Sequence, residues 1–286
     1  MVSLYQEVRE ALRESDFRPK KRLGQNFLIH ESTLQKIPAL LELSADDEVL
    51  EIGPGLGFLT RKLVQVARKV WAIELDPLLV DRLRRSALGS HPALELVHGD
   101  ILKADLSRIL PPRKIKLVAN LPYSISTPVL FRIFEFRERF SLLVLMVQRE
   151  VAERMAAVPS TKSYGTLSVW CRIHGRIVDK IPVSPEAFFP QPRVRSMILK
   201  LALNGEPFVG EQEMSRLRSL VRFAFGQRRK TLANALAGLA GFHNRDEIEA
   251  FLWSAGIDPK RRGETLTVEE FVRLSRTLGE KPGAGA

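Results

Sequence analysis

The sequence of 286 residues has one cysteine, Cys171. A single thiol excludes an internal disulfide and any multi-cysteine zinc site. Its neighbours Leu167, Val169, Trp170 and Ile173 mark it as a buried, inert position, and no metal site is expected. No apolar run approaches the roughly 20 residues a membrane span requires. The first stretch, Met1 to Arg18, carries Glu7, Glu10, Glu14 and Asp16 among apolar positions, which reads as a short amphipathic helix and not a secretory leader. There is no internal repeat, and low-complexity sequence is confined to Lys281–Ala286, so a disordered tail is expected from about residue 280. Gly-x-x-x-x-Gly-Lys is missing, which argues against a P-loop. These absences lead to the expectation of a soluble, cytoplasmic protein.

Acidic residues are also in short supply. The 44 Lys and Arg outnumber the 33 Asp and Glu, a net charge of +11 and a pI near 10.0. Such a balance points to an anionic partner, most often nucleic acid. Residues 1–203 hold 31 basic and 22 acidic side chains and residues 204–286 hold 13 and 11, so the excess belongs mainly to the first part. Candidate phosphate contacts are Lys20, Lys21 and Arg22, then Arg149, Arg193 and Arg195, then Arg228, Arg229 and Lys230.

From about residue 45, short β-rich runs alternate with amphipathic helical segments. Strands are expected over Glu48–Ile52, Val70–Glu74, Leu94–His98, Ile115–Asn120, Ser141–Val147 and Met197–Leu201, with helices over Phe58–Ala67 and Pro77–Ala87. The unbroken run Leu142 to Val147 suits a central parallel strand covered on both faces. The expected fold is therefore α/β, a doubly wound Rossmann-like sheet. Composition shifts at Asn204-Gly205-Glu206-Pro207, and every later periodic segment is helical: Met214–Phe225, Thr231–Leu239, Asp246–Ala255 and Thr267–Gly279. Thr267 and Glu270 have capping-box spacing. Two domains are expected, 1–204 with the sheet and 205–286 as a small all-helical unit.

The chemistry-bearing residues fall at strand ends. Glu51-Ile52-Gly53-Pro54-Gly55-Leu56-Gly57 follows the first strand, where glycines let the backbone turn and pass close to a ligand. Glu74 ends the next strand, placed to accept both hydroxyls of a ribose, and Asp100 follows the third, placed to accept from an adenine amine. Nothing is arranged for a pyrophosphate, so S-adenosylmethionine fits this order better than a dinucleotide. Asn120-Leu121-Pro122-Tyr123 closes the strand Ile115–Asn120. The Asn120 amide oxygen and the Pro122 carbonyl can accept the two hydrogens of an exocyclic amine while the Tyr123 ring stacks on the base.

With these residues placed, the chain resembles the KsgA/RsmA family of small-subunit rRNA adenine dimethyltransferases. The likeness runs through Lys21–Leu28, Glu51–Gly57, Asn120–Pro128, Val147–Ala152, Phe188–Ser196, Phe225–Leu232 and Gly256–Leu266. Ser124 departs from the asparagine common at its place. The resemblance implies donor contacts from Gln25, Asn26, Leu28, Gly53, Gly55, Glu74, Asp100 and Asn120, and a second stacking aromatic at Phe188. It further implies a monomer acting on small-subunit rRNA in an immature subunit, dimethylating two adjacent adenosines in a hairpin near the 3′ end. Two other readings share these motifs: a large-subunit rRNA adenine methyltransferase conferring antibiotic resistance, and a non-catalytic RNA-binding assembly factor. The blocks around Gln227–Lys230 and Gly256–Thr265 favour the small-subunit enzyme over the first, and the joint presence of Gly53, Glu74, Asp100 and Asn120–Tyr123 disfavours the second.

Overall fold

A computed structural model describes residues 3–14, 18–20, 23–122, 125–205 and 209–280. Lys21, Arg22, Tyr123, Ser124 and the tail from Lys281 therefore lie outside the described residues. The strands in chain order are β1 (Phe27–Leu28), β2 (Glu48–Ile52), β3 (Lys69–Glu74), β4 (Leu94–His98), β5 (Ile115–Asn120), β6 (Phe140–Gln148), β7 (Gly175–Val183), β8 (Phe188–Phe189) and β9 (Ser196–Leu203). Seven of them form one sheet in the order β4-β3-β2-β5-β6-β9-β7, and β1 pairs antiparallel with β8 apart from it. The five strands from β4 to β6 are parallel, and β9 is antiparallel to β6.

The apolar run in β6 is buried on both faces, with Leu143, Leu145 and Val147 at 0 % exposure and Val144 at 1 %. Each such side chain contributes about 1.5–3 kcal/mol when removed from water, which locks the register of the strand that supports the site. The core of this unit joins the sheet faces of Val49, Val70, Val118 and Val144 to Leu59, Leu63, Leu79 and Leu83 on the covering helices. From β2 the chain winds outward to β3 and β4, then returns to place β5 on the other side of β2. That reversal sets Ile52 beside Ala119, so Gly53 and Asn120 leave adjacent strands at the point where open α/β sheets form a crevice.

The chain divides into two compact units, residues 1–152 with 176–203, and residues 153–175 with 204–286. The helical unit thus includes Glu153–Gly175, which the sequence places with the sheet. The reason is a set of long-range bonds: the Tyr164 hydroxyl donates to the Leu266 carbonyl at 2.9 Å, and the Ser160 amide donates to the Glu264 carbonyl at 2.8 Å. The capping box forms as expected, with the Glu270 amide donating to Thr267 Oγ1 at 3.2 Å and the Thr267 amide to Glu270 Oε2 at 2.8 Å. The helix expected over Thr231–Leu239 is shorter, Leu232–Ala235; beyond it the Leu239 amide bonds the Leu236 carbonyl at 2.9 Å, a tight turn in place of continued α-helix. Among the described residues no helix is long and apolar enough to cross a membrane.

Candidate active site

A cavity of about 240 Å³ opens at the carboxyl ends of β2, β3, β4 and β5. Gln25, Asn26, Leu28, Gly53, Gly55, Glu74, Asp100 and Asn120 all line it, so the eight expected donor contacts converge on one space. The turn after β2 needs its glycines. Gly53 and Gly55 hold φ of +69° and +59°, and a Cβ on Gly55 would stand 3.0 Å from the Phe27 ring. The cavity floor can therefore pass close to a ligand only without side chains there.

Glu74 is 6 % exposed and is oriented from both sides: the Gly55 amide donates to Oε2 at 3.0 Å and the Asp76 amide to Oε1 at 2.8 Å. Burial raises its carboxyl above the ordinary value, opposed by those backbone bonds. The amides of Gly55, Leu75 and Asp76 take part of the carboxylate's four lone-pair positions and leave acceptor capacity for a ligand hydroxyl. Asp100 lines the cavity beyond β4 and its Oδ1 accepts the Leu102 amide at 3.0 Å, which fixes its direction.

Asn120 sits at the end of β5, where its Nδ2 donates to the Asn26 carbonyl at 3.0 Å. A carbonyl can take only a donor, so this bond commits the amide NH₂ and leaves Oδ1 as an acceptor. Leu121 is 1 % exposed and anchored by its amide to the Met146 carbonyl. The Pro122 carbonyl differs from expectation. It already accepts the Ile125 amide at 3.1 Å and the buried Ser126 hydroxyl at 3.0 Å, so both lone pairs serve the turn that presents Asn120.

Phe188 also differs. It is 3 % exposed, pairs with Leu28 across β1 and β8, belongs to the core and lines neither this cavity nor the groove beside it. Alternation along β8 turns Phe189 outward instead, where it lines that groove.

Lys20, expected on phosphate, is bound within the protein. Its Nζ lies 2.7 Å from Asp76 Oδ1, Gln25 Nε2 donates to Asp76 Oδ2 at 2.9 Å, and the Lys20 amide donates to Gln25 Oε1 at 2.7 Å. Asp76 is 1 % exposed and also caps the helix Pro77–Arg85 through the Leu78 amide. Burial acts to raise its carboxyl, but the bonds from Lys20 and Gln25 hold it below the ordinary range. Sequence reasoning missed this acid because its partners lie more than 50 positions away. It also missed Glu51, which lines the cavity at 2 % exposure, accepts the Thr60 hydroxyl at 2.7 Å, and is pushed by burial up to about 8.

The other expected cations divide between the units. In the sheet unit Arg149, Arg193 and Arg195 are exposed, and the Arg149 amide bonds the Arg195 carbonyl at 3.0 Å. In the helical unit Arg229 and Lys230 are exposed, while Arg228 bonds Glu264 at 2.8 Å and the Lys162 carbonyl at 3.1 Å.

The donor set suits S-adenosylmethionine: a buried, oriented carboxylate for paired hydroxyls, a second carboxylate one strand along, and a glycine floor that a Cβ would obstruct. Residues 16–280 match the model of the family described as ribosomal RNA adenine dimethylase. The chain is 42 % identical over 270 residues to the ribosomal RNA small subunit methyltransferase A of Geobacter metallireducens, covering 93 % of this chain and 98 % of that one. Identity to the protein of the same description in Geobacter sulfurreducens is 44 % over 272 residues, with the same coverage. Among solved structures, a dimethyladenosine transferase from Plasmodium falciparum superposes with a TM-score of 0.75 at 27 % identity, over 87 % of this chain and 96 % of that one. The 23S rRNA methyltransferase ErmE gives 0.65 at 29 % identity, over 88 % and 99 %. Site geometry and whole-length likeness agree that the chain belongs to the ribosomal RNA adenine dimethylase family, in its small-subunit branch, and is an S-adenosylmethionine-dependent methyltransferase.

Proposed function

We propose that the protein dimethylates N6 of two adjacent adenosines in a hairpin near the 3′ end of small-subunit rRNA, as a cytoplasmic monomer acting on an immature subunit. The observation that carries the site assignment is the Asn120 amide, whose nitrogen is held by the Asn26 carbonyl at the end of β5 and whose oxygen is thereby oriented as the acceptor. When bound, S-adenosylmethionine supplies an electrophilic methyl group. Glu74 accepts from the ribose hydroxyls and Asp100 from the donor's adenine amine. Gly53 and Gly55 pass beneath, and Gln25, Asn26 and Leu28 enclose the methionine end.

Asn120 Oδ1 accepts one N–H of the target amine and turns the nitrogen lone pair toward the methyl. Leu121 and Pro122 build the turn that holds this amide, and Tyr123 stacks on the base. Positioning of this kind is worth roughly 7–11 kcal/mol when reacting atoms are aligned. The proton leaves to water after attack, so no strong general base is required. A target base in a duplex is hidden, so the substrate presents it extruded from a loop. Arg149, Arg193, Arg195 and Arg228–Lys230 meet phosphates, and RNA affinity therefore falls steeply with salt.

The test is nucleoside mass mapping after separate incubations of labelled donor with immature small subunits and with immature large subunits. Dimethyladenosine confined to small-subunit RNA is expected; label in large-subunit RNA, or none in either, rejects the reading. Asn120→Ala should still bind the donor, through the other seven contacts, and lose at least 100-fold in turnover, about 2.7 kcal/mol at the transition state. Near-normal turnover would remove the role given to that amide.

A further inference from the structure

The cavity houses the donor and one nucleobase edge, but a second and larger depression adjoins it. This groove, about 1050 Å³, shares Gly24, Gln25 and Asn26 with the cavity as a common wall. Its other side is the N-terminal helix Leu4–Glu14. Val8 and Ala11, both 0 % exposed, seat one face of that helix on the sheet unit, and Glu7 bonds Arg61 at 2.9 Å. Tyr5, Arg9 and Arg13 recur at intervals of four and line the groove from the exposed face.

Facing them are Phe189 and Arg193. The Tyr5 and Phe189 rings meet edge-on, 5.6 Å apart at 79°, and the Arg9 guanidinium lies 5.9 Å from the Tyr5 ring centre. Tyr5 remains 45 % exposed although it belongs to a helix whose apolar residues are otherwise largely packed away. Four arginines, Arg9, Arg13, Arg18 and Arg193, line the groove, and no Asp or Glu is among the described lining residues.

Aromatic faces with arginines and no opposing acid are the pattern that binds single-stranded nucleic acid, since every base has a face to stack and every step carries a phosphate. Extruding one nucleotide into the cavity also strips its neighbour of a stacking partner. A surface one wall away from the reacting amine is where that neighbour arrives.

We propose that the N-terminal helix is a substrate-binding element: the groove takes the nucleotide adjoining the target adenosine, with its base on the Tyr5–Phe189 pair and its phosphates on Arg9, Arg13 and Arg193. This rests on the RNA-methylating reading above and extends it to Tyr5, Arg9 and Arg13, which lie outside the family blocks. The groove makes contact with substrate before and after each transfer, so its loss raises KM for RNA and leaves donor affinity unchanged.

The experiment uses the full chain, a small-subunit rRNA transcript and labelled donor. Tyr5→Ala should weaken RNA binding about 5- to 150-fold, the range for loss of one stacked base, and Tyr5→Trp should restore it. Arg9→Gln with Arg13→Gln should flatten the slope of log affinity against log salt by about 1.4, two single-strand phosphate contacts. Arg84→Gln with Arg85→Gln, an equal charge change on the exposed end of another helix, should leave groove-dependent RNA affinity near wild type. Unchanged KM in Tyr5→Ala together with an unchanged slope in the double variant overturns the groove while the methylation reading stands. If wild type itself transfers no methyl to the transcript or to immature subunits, the parent reading fails instead. Variants that bind free RNA as wild type does, yet fail only on subunit particles, would assign the groove to a protein and also overturn the inference.

Discussion

Glu51 makes the stability of the sheet unit fall with pH across the neutral range. Its carboxyl is buried, and burial moves it from an ordinary 4.5 to about 8 against the opposing bond from Thr60. A folded-state value above the unfolded one means that the native protein holds the proton longer. The stabilisation is complete below about pH 4.5 and is lost as pH rises through 8. The limiting slope is roughly 1.4 kcal/mol per pH unit, and integration from pH 6 to 8 gives a loss of roughly 2 kcal/mol. The carboxylates held low, such as Asp47, Glu48 and Asp76, are already ionised in both states over that interval and add no slope. Glu74 is shifted in the same direction as Glu51, so the contrast must come from substitution.

Glu51→Gln keeps the shape and an acceptor for Thr60 but cannot titrate. Urea unfolding at pH 6, 7 and 8 should show wild type losing about 2 kcal/mol more than the variant. Trp71 is the sheet unit's tryptophan, and Trp170 and Trp253 belong to the helical unit. Fluorescence with Trp170 and Trp253 replaced by Phe therefore reads the relevant unit alone. Parallel pH curves for the two proteins would refute the assignment of a neutral, buried acid at Glu51.

Other outcomes follow from single contacts. Asp76→Ala removes a helix cap and a partly buried ion pair together, so it should cost about 2–3 kcal/mol in chemical denaturation and weaken donor binding in calorimetry; Asp76→Asn, which can still cap, should cost less. Gly55→Ala forces a Cβ into a left-handed position 3.0 Å from the Phe27 ring, and strain of about 1–2 kcal/mol should appear as donor affinity weaker by about 5- to 30-fold with the fold retained in circular dichroism. Tyr164→Phe strands the buried Leu266 carbonyl and should destabilise the helical unit by about 1–2 kcal/mol, followed at Trp170 and Trp253, with Trp71 unaffected.

What the sequence discloses depends on whether a feature is local. The central strands were legible because each is an unbroken apolar run: Ile115–Asn120 is observed as expected, and Ser141–Val147 grows by one residue at each end. β7 was not, since its exposed edge position lets Asp179, Lys180 and Pro182 interrupt the pattern. The helix Glu31–Leu40 was hidden by its internal Pro38. The convergence of the strand-end residues on one cavity could be read because order along the chain becomes order along the sheet edge. Lys20 could not, because a positive charge is visible in sequence and the buried acid that neutralises it is not. Phe188 and Phe189 are adjacent and chemically alike, and only the pairing of β8 with β1 decides which enters the core. The helical unit's claim on Glu153–Gly175 rests on bonds spanning about a hundred positions, beyond any local signal.

Three described residues tie the two working ends of the cavity together. Lys20 and Gln25 are clasped by Asp76, whose own amide orients Glu74, and Asn26, next to Gln25, supplies the carbonyl that aims Asn120. The grip on the donor end and the aim of the acceptor amide are therefore not independent. A substitution at Asp76 or Gln25 should be felt at Asn120, through its neighbour Asn26, as well as at Glu74.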